Sequence, residues 1–277
     1  MGVTLDNSLL KSVNLEFPAN GSTGKLTINL DLNEYSQKAM WIYFNKGKLY
    51  EPETSRLFCT LLKTGDSVLD IGGHIGYFSL LAAAITGPTG QVITFEPEAG
   101  NYRHLLENIK ENQFNNIQVI HKAVGDKEGE VTFYINADND GGHALWDISR
   151  HEFNEKSREH MEERTIPQTT LDIALKDFEL NPLRLIKMDV EGCEFRVLQG
   201  AQETLKKYNY PIIILEINRF AMQNMDNSEQ EIRELMKSMG YLTYYPEEDH
   251  LTELTHDQYM NPGFVFNLVF AQPGSLS

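Results

Sequence analysis

Hydrophobic and polar positions change rhythm along this chain. Up to about residue 64 the pattern is mixed. Lys25-Leu-Thr-Ile-Asn-Leu-Asp-Leu32 alternates apolar and polar residues after the turn sequence Asn20-Gly-Ser-Thr-Gly24, which predicts a half-buried strand. Pro52–Leu62 predicts a helix, with Pro52 suited to its first turn. From Ser67 the chain settles into short apolar runs separated by amphipathic stretches. Ser67–Ile71, Gln91–Phe95 and Ile117–Ile120 predict buried strands. Between them, Tyr77–Ile85 and Ala99–Asn112 predict helices, the second with Tyr102, Leu105, Leu106 and Ile109 at helical spacing. Strand, helix and strand joined by short connections call for a parallel sheet with right-handed crossovers.

Glu130–Ile135 predicts an extra strand, and the polar stretch Asn136–Arg164, rich in Gly, His, Glu and Arg, an insertion over the active face. The alternation resumes with a helix over Thr170–Phe178, a fourth strand over Leu183–Met188, a helix around Phe195–Tyr208 and a fifth strand over Pro211–Leu215. Ser228–Met239 predicts a helix: Ser228 and Glu231 form a capping box, and Gly240 stops the element. Leu242–Tyr245 and Phe264–Phe270 predict a closing antiparallel hairpin. The expected fold is α/β, a mainly parallel doubly wound sheet with a C-terminal antiparallel hairpin strand. Residues 1–64 are expected to be an N-terminal appendage and lid, and 65–277 the ligand-binding domain, interrupted at about 136–165.

Composition narrows the partners. The 277 residues are 41% apolar, enough for a sizeable core, and carry a formal net charge of -16. That charge argues against a large nucleic-acid footprint and against docking on anionic membranes. Cys59 and Cys193 are far apart and lack metal-ligand spacing, which suits a reducing compartment. Met1–Asp6 has neither the basic nor the apolar region of a signal peptide, and Asp6 breaks the myristoylation pattern. No apolar run approaches the roughly 18 residues that span a bilayer. The expectation is a cytoplasmic protein acting on a small molecule or a peptide; the oligomeric state is not legible.

The chemistry concentrates where strands end. Val68-Leu-Asp70-Ile-Gly72-Gly73-His74-Ile-Gly76 is a buried strand feeding a glycine turn that opens a helix, where an open parallel sheet binds nucleotides. The spacing is not that of a dinucleotide fingerprint, and a P-loop lacks its Gly-Lys-Ser/Thr. Asp70 would be repelled by a pyrophosphate but suits a ligand bearing an ammonium and a sulfonium, such as S-adenosylmethionine. Glu96, at the end of the next strand and fixed by Pro97, can accept hydrogen bonds from both ribose hydroxyls. A second cluster, Asp189-Val-Glu191-Gly-Cys-Glu194, closes the fourth strand, with Glu194 read as a helix-dipole acid.

These motifs together resemble the FkbM-type methyltransferases. The resemblance rests on Tyr50-Glu-Pro-Glu53, Gly65 to Ser79, Phe95-Glu-Pro97, Thr170-Leu-Asp172 and Ile186 to Glu194, and it covers roughly residues 50 to 215. Gly73-His74 departs from it, since the family more often has Ala-Asn there, which puts the placing of the donor's carboxylate or of the acceptor in question. The resemblance implies the class I methyltransferase Rossmann-like fold and S-adenosylmethionine-dependent methylation of a hydroxyl on a sugar or secondary metabolite. Some members look like amide N-methyltransferases acting on peptides, and similarity does not choose between the two.

The expected donor site comprises Asp70, Gly72, Gly73, His74, Gly76, Glu96 and Pro97, with Ala123 leaving room for adenine. Tyr77 borders it or packs as core beside Phe78. Glu51 and Glu53 fold back over the donor's amino group, or Glu53 only favours a helix start. A hydroxyl acceptor must lose a proton, and the candidate bases are Asp189, Glu191 and His143, with His121 further off. A metal variant of the chemistry would place Mg²⁺ on Asp189, Glu216 and Asn218; the reading without metal leaves Glu216 and Asn218 to the substrate.

Overall fold

The structure, a computed structural model, describes residues 9–255, 258, 263 and 265–276. The expectations for Met1–Asp6 and for Phe264 lie outside the described residues. The chain opens with a hairpin, β1 (Leu10–Ala19) and β2 (Ser22–Asp31), followed by α1 (Tyr35–Phe44) and α2 (Pro52–Leu61). The central run is β3 (Ser67–Ile71), α3 (Tyr77–Thr86), β4 (Gln91–Phe95), α4 (Ala99–Asn112) and β5 (Ile117–Ile120). Then come β6 (Ala123–Val124), β7 (Gly129–Ile135), α5 (Glu155–Glu159), β8 (Glu162–Thr169) and α6 (Leu171–Ala174). The remainder is β9 (Leu183–Met188), α7 (Glu194–Gln199), α8 (Gln202–Lys207), β10 (Ile212–Asn218), α9 (Arg219–Asn224), α10 (Glu229–Ser238), β11 (Leu242–Pro246), β12 (Leu251–Leu254) and β13 (Val265–Ala271).

Eight strands form the main sheet in the order β5-β4-β3-β9-β10-β13-β11-β12. The strands from β5 to β10 run parallel, and β13 inserts antiparallel between β10 and β11. This is the expected doubly wound sheet with its antiparallel C-terminal strand. Alternate residues serve opposite faces: Ile212 and Ile214 of β10 join one core, Ile213, Leu215 and Ile217 the other. The first core is covered by the hairpin, α1, α2 and α3, the second by α6, α7, α8 and α10. The chain leaves β3 toward β4 and β5, then returns to the other side at β9 and β10. That reversal opens a crevice at the carboxyl ends of β3 and β9.

Asn20 and Gly21 both take positive φ (48° and 76°), the combination a two-residue hairpin turn needs. Inward residues Leu15, Phe17, Leu26, Ile28 and Leu30 are buried in the core of α3, each worth about 1.5–3 kcal/mol. The outer edge of β2 is not left bare. Asn112 of α4 accepts from Thr27 N and donates to its O, and Asn108 does the same for Asn29.

Several elements differ from their sequence expectation. α4 is where it was expected, but Leu106 is exposed and Asn101, Leu105 and Asn108 are buried, because its inner face ties down loops. The helix expected around Phe195–Tyr208 is two short helices parted at Gly200, where a Cβ would lie 2.2 Å from Gly125 O; Asp172 then accepts from the first amides of α8. The helix expected over Thr170–Phe178 is the single turn α6. The end of the insertion is a strand, β8, which Pro167 and its charged residues disguise; it forms a second sheet, β6-β8-β7. β1, α1, α9 and β12 had no counterpart among the expected elements.

Candidate active site

The glycine loop is shaped by what it must pass. Gly72 (φ 86°) runs so close to the end of β9 that a Cβ would sit 1.8 Å from Asp189 O. Gly76 (φ 96°) lets α3 meet Leu105 of α4, 2.3 Å from where a Cβ would be. Gly72 N and Gly73 N both donate to Phe95 O (2.9 and 3.0 Å), which pins the loop across β4 and leaves a cavity of about 380 Å³ above it.

Two acids floor the near side of this cavity. Asp70 is 1% exposed; its Oδ2 accepts from Ser79 Oγ and its Oδ1 is buried without a partner. Burial raises its pKa, against the pull of Lys187 and the Ser79 hydrogen bond. An orphaned carboxylate oxygen in a cavity wall fits a ligand that brings a cation or a donor to it. Glu96 accepts from His74 N through Oε2 and from Glu98 N through Oε1, both at 2.7 Å. Burial pushes its pKa up to about 7 despite those bonds. Glu96 lines the cavity, and each of its oxygens, having accepted one hydrogen bond, keeps capacity to accept another.

The far side is more acidic still. Lys187 of β9 is buried; its ammonium lies 3.0 Å from Asp189 Oδ2 and 4.7 Å over the Phe78 ring. Burial works against its charge, but Asp189, Glu51 and Asp70 outweigh it and hold the ammonium charged. Asp189, Glu191 and Glu216 bring carboxylate oxygens within 4.8 Å of one another. Glu191 sits at φ 50° and accepts from Asn218 Nδ2 at 2.9 Å; burial, with Asp189 and Glu194, raises its pKa to about 8. Burial, Asp189 and Glu191 push Glu216 well up as well. The arch carrying these groups is tied from within: Glu194 Oε1 accepts from Val190 N and Gly192 N, and Asn227 donates to Gly192 O.

The roof comes from two remote segments. Asp140 of the insertion accepts from His74 Nε2 (2.8 Å), Gln37 Nε2 (3.0 Å) and Ser36 N (2.7 Å), joining the glycine loop to α1. Burial opposes both charges of the His74–Asp140 pair, but the pairing wins, leaving His74 above its usual pKa and Asp140 at about 2. Trp146 Nε1 donates to Glu191 O at 2.9 Å, clamping the insertion to the acidic arch.

Most of the residues singled out in the sequence meet in this one cavity: Asp70, Gly72, Gly73, His74, Tyr77, Glu96, Pro97 and Ala123, together with His143, Asp189, Glu191, Glu216 and Asn218. Gly76 and Glu53 do not line it. Glu53 faces Tyr245, while Glu51, at φ 41° before α2, turns inward and accepts from Asn267 Nδ2. His121 is exposed, stacked on Tyr102 at 4.3 Å and bonded to Pro97 O. The His74 ring bonds Asp140 through Nε2, and its backbone amide donates to Glu96. Asn218 accepts from Ala221 N through Oδ1 to cap α9 and donates its amide to Glu191, and the carboxylates that cluster are Asp189, Glu216 and Glu191. Tyr77 is buried, its hydroxyl bonded to Ser55. Trp146 and the roof residues Ser36 and Gln37 had not been singled out; Lys187 was visible in the sequence as the lysine near the end of the apolar run Leu183–Met188, beside three carboxylates.

The Methyltransferase FkbM domain matches residues 70–243. The 2-O-methyltransferase NoeI of Sinorhizobium fredii is 27% identical over 165 residues, which make up 56% of this chain and 65% of that protein, so the chain spans just under two thirds of its length. Among solved structures, a methyltransferase FkbM from Methylobacillus flagellatus KT aligns with TM-score 0.46 at 16% identity, over 76% of this chain and 44% of that one. An S-adenosylmethionine-dependent O-methyltransferase from Thermotoga maritima aligns with TM-score 0.43 at 11% identity, over 93% and 77%.

Proposed function

Since the chain belongs to the FkbM methyltransferase family, we propose that it is an S-adenosylmethionine-dependent methyltransferase that methylates a hydroxyl oxygen of a small polyhydroxylated acceptor, a sugar or a secondary metabolite. The observation that carries this reading is the carboxylate group Asp189, Glu191 and Glu216, facing the same cavity as Asp70 and Glu96. The 2-O-methyltransferase activity in the name of the relative from Sinorhizobium fredii supports oxygen over nitrogen as the acceptor atom.

The bound donor supplies an electrophilic methyl group on a sulfonium. Asp70, with its unpartnered Oδ1, and the inward-turned Glu51 suit the donor's ammonium, and Glu96 its ribose. Positioning of this kind accounts for roughly 7–11 kcal/mol of barrier in well-oriented reactions. The acceptor's proton goes to Glu191, which Asn218 orients and whose raised pKa makes it a competent base. Asp189 stays paired with Lys187 and completes the field.

This reading routes no step through a metal; its buried cation is Lys187, 3.0 Å from Asp189 Oδ2. The test is a mass-detected screen of hydroxylated sugars, metabolites and peptides for a 14-dalton gain, with and without EDTA. The expected result is methylation of a hydroxyl, unaffected by chelation, and lost by roughly 10²–10⁴-fold in Glu191→Gln with donor binding intact. Methyl transfer to a peptide amide, or activity that EDTA abolishes and Mg²⁺ restores, would contradict it.

A further inference from the structure

Groups along the carboxyl edge of the sheet give the cavity a direction. Glu216 lies on β10, Asp189 follows β9, Asp70 lies on β3, Glu96 follows β4, and Ala123 lies beyond β5. The acids of the acceptor end are therefore at one extreme, the ribose acid near the middle and Ala123 at the other. On the reading of this cavity as an S-adenosylmethionine site, on which this inference rests, the purine lies at the Ala123 end. His143 is at that end too: it meets Phe133 edge-on at 6.0 Å, and Phe133 packs with Ala123 and Ile166.

The hydrogen bonding of His143 fixes what it can do. Asn136 N donates to its Nδ1 at 2.9 Å. A backbone amide only donates, so Nδ1 carries no proton and the neutral ring holds its proton on Nε2. Nε2 makes no hydrogen bond to any described residue, and the ring lines the cavity. The next residue is also held, Ala144 exchanging backbone bonds with Tyr134 (2.8 and 3.2 Å). The surrounding charges oppose one another: Glu98 and Asp140 favour the imidazolium, His74 and Arg164 disfavour it, and burial decides, lowering the pKa to about 4. A ring that is neutral, with its one lone pair occupied, is no general base.

We propose that His143 is a donor-binding residue that recognises the adenine of the methyl donor, its Nε2–H donating to a ring nitrogen of the purine. The insertion of this chain thereby supplies the base-reading side chain, and the proton of the acceptor goes elsewhere.

Calorimetry on the full chain tests this, with S-adenosylhomocysteine and its three analogues in which N1, N3 or N7 is replaced by C–H. One analogue should bind the wild type roughly 3–10-fold more weakly than the parent compound. His143→Phe should bind the parent compound about as weakly as the wild type binds that analogue, and should no longer distinguish the two. His143→Gln, which keeps a donor, should recover part of the difference and guards against a misfolded Phe variant. Equal binding of all four ligands by the wild type overturns the proposal, as does discrimination that survives in His143→Phe. So does a variant with full affinity whose kcat has lost a pH limb, since that is the signature of a base. Failure of the wild type to bind the parent compound at all defeats the donor-site reading itself, a separate outcome.

Discussion

Glu96 commits one carboxylate oxygen to His74 N and the other to Glu98 N, and burial nevertheless lifts its pKa to about 7. Only the ionised form can accept from both ribose hydroxyls at once. Donor binding must therefore expel a proton from a group half protonated near neutrality. The sign follows: affinity rises with pH up to about 7 and levels off above it, by at most about tenfold per unit. Calorimetry with S-adenosylmethionine from pH 5.5 to 8.5 should show that slope. Glu96→Gln should flatten it and weaken binding roughly 10–100-fold. A pH-independent wild type would remove Glu96 from this role. The positions of Asp70 and Glu96 could be read in the sequence because an acid at the end of an apolar strand is costly unless something uses it. The environment of His143 could not, because the amide that fixes its tautomer, on Asn136, reaches it through a loop closure that no periodicity records. Glu51 and Glu53 were a similar ambiguity: the periodicity does not record the left-handed backbone at Glu51, the one of the two that lines the cavity.

Elements were legible where a residue pattern repeats and illegible where a tertiary partner overrides it. β3, β4 and β9 fall where their apolar runs lie, since a strand buried on both faces has no polar phase to lose; β5 also lies on its apolar run, but as the edge strand it is only half-buried, not the buried strand expected. The break between α7 and α8 depends on Gly200 pressing against Gly125, and the edge of β2 on side chains from α4, neither a local property. The glycine loop is the element most sensitive to a single atom. Gly72→Ala combines a strained φ with a Cβ 1.8 Å from Asp189 O, and neither backbone can move without parting β3 from β9. The expected outcome is a loss of roughly 3 kcal/mol or more in stability by chemical denaturation, together with loss of donor binding. A variant that unfolds with the wild type and keeps its affinity would show the close approach to be unnecessary. His74–Asp140 acts between elements: its ring bond ties the insertion and, through Gln37, α1 to the glycine loop.

At the scale of the whole molecule, the net charge of -16 has a local counterpart in a cavity where Glu51, Asp70, Asp189, Glu191 and Glu216 surround one buried lysine. Such a cavity repels phosphates and attracts a cationic adenosine ligand. That preference, more than the glycine spacing, separates this doubly wound sheet from its dinucleotide-binding counterparts. Among the described residues no helix is long and apolar enough to cross a membrane. Acceptor identity was beyond the sequence because the cavity wall proposed to meet it is assembled from β9, β10 and a polar insertion whose course depends on single contacts such as Trp146 to Glu191. The most direct measurement is titration calorimetry of the intact chain with S-adenosylmethionine and, separately, with NAD. One saturating S-adenosylmethionine site, greatly weakened in Asp70→Asn and Glu96→Gln, with no heat from NAD, is the predicted result. Silence with S-adenosylmethionine, or binding that neither substitution disturbs, would contradict the account.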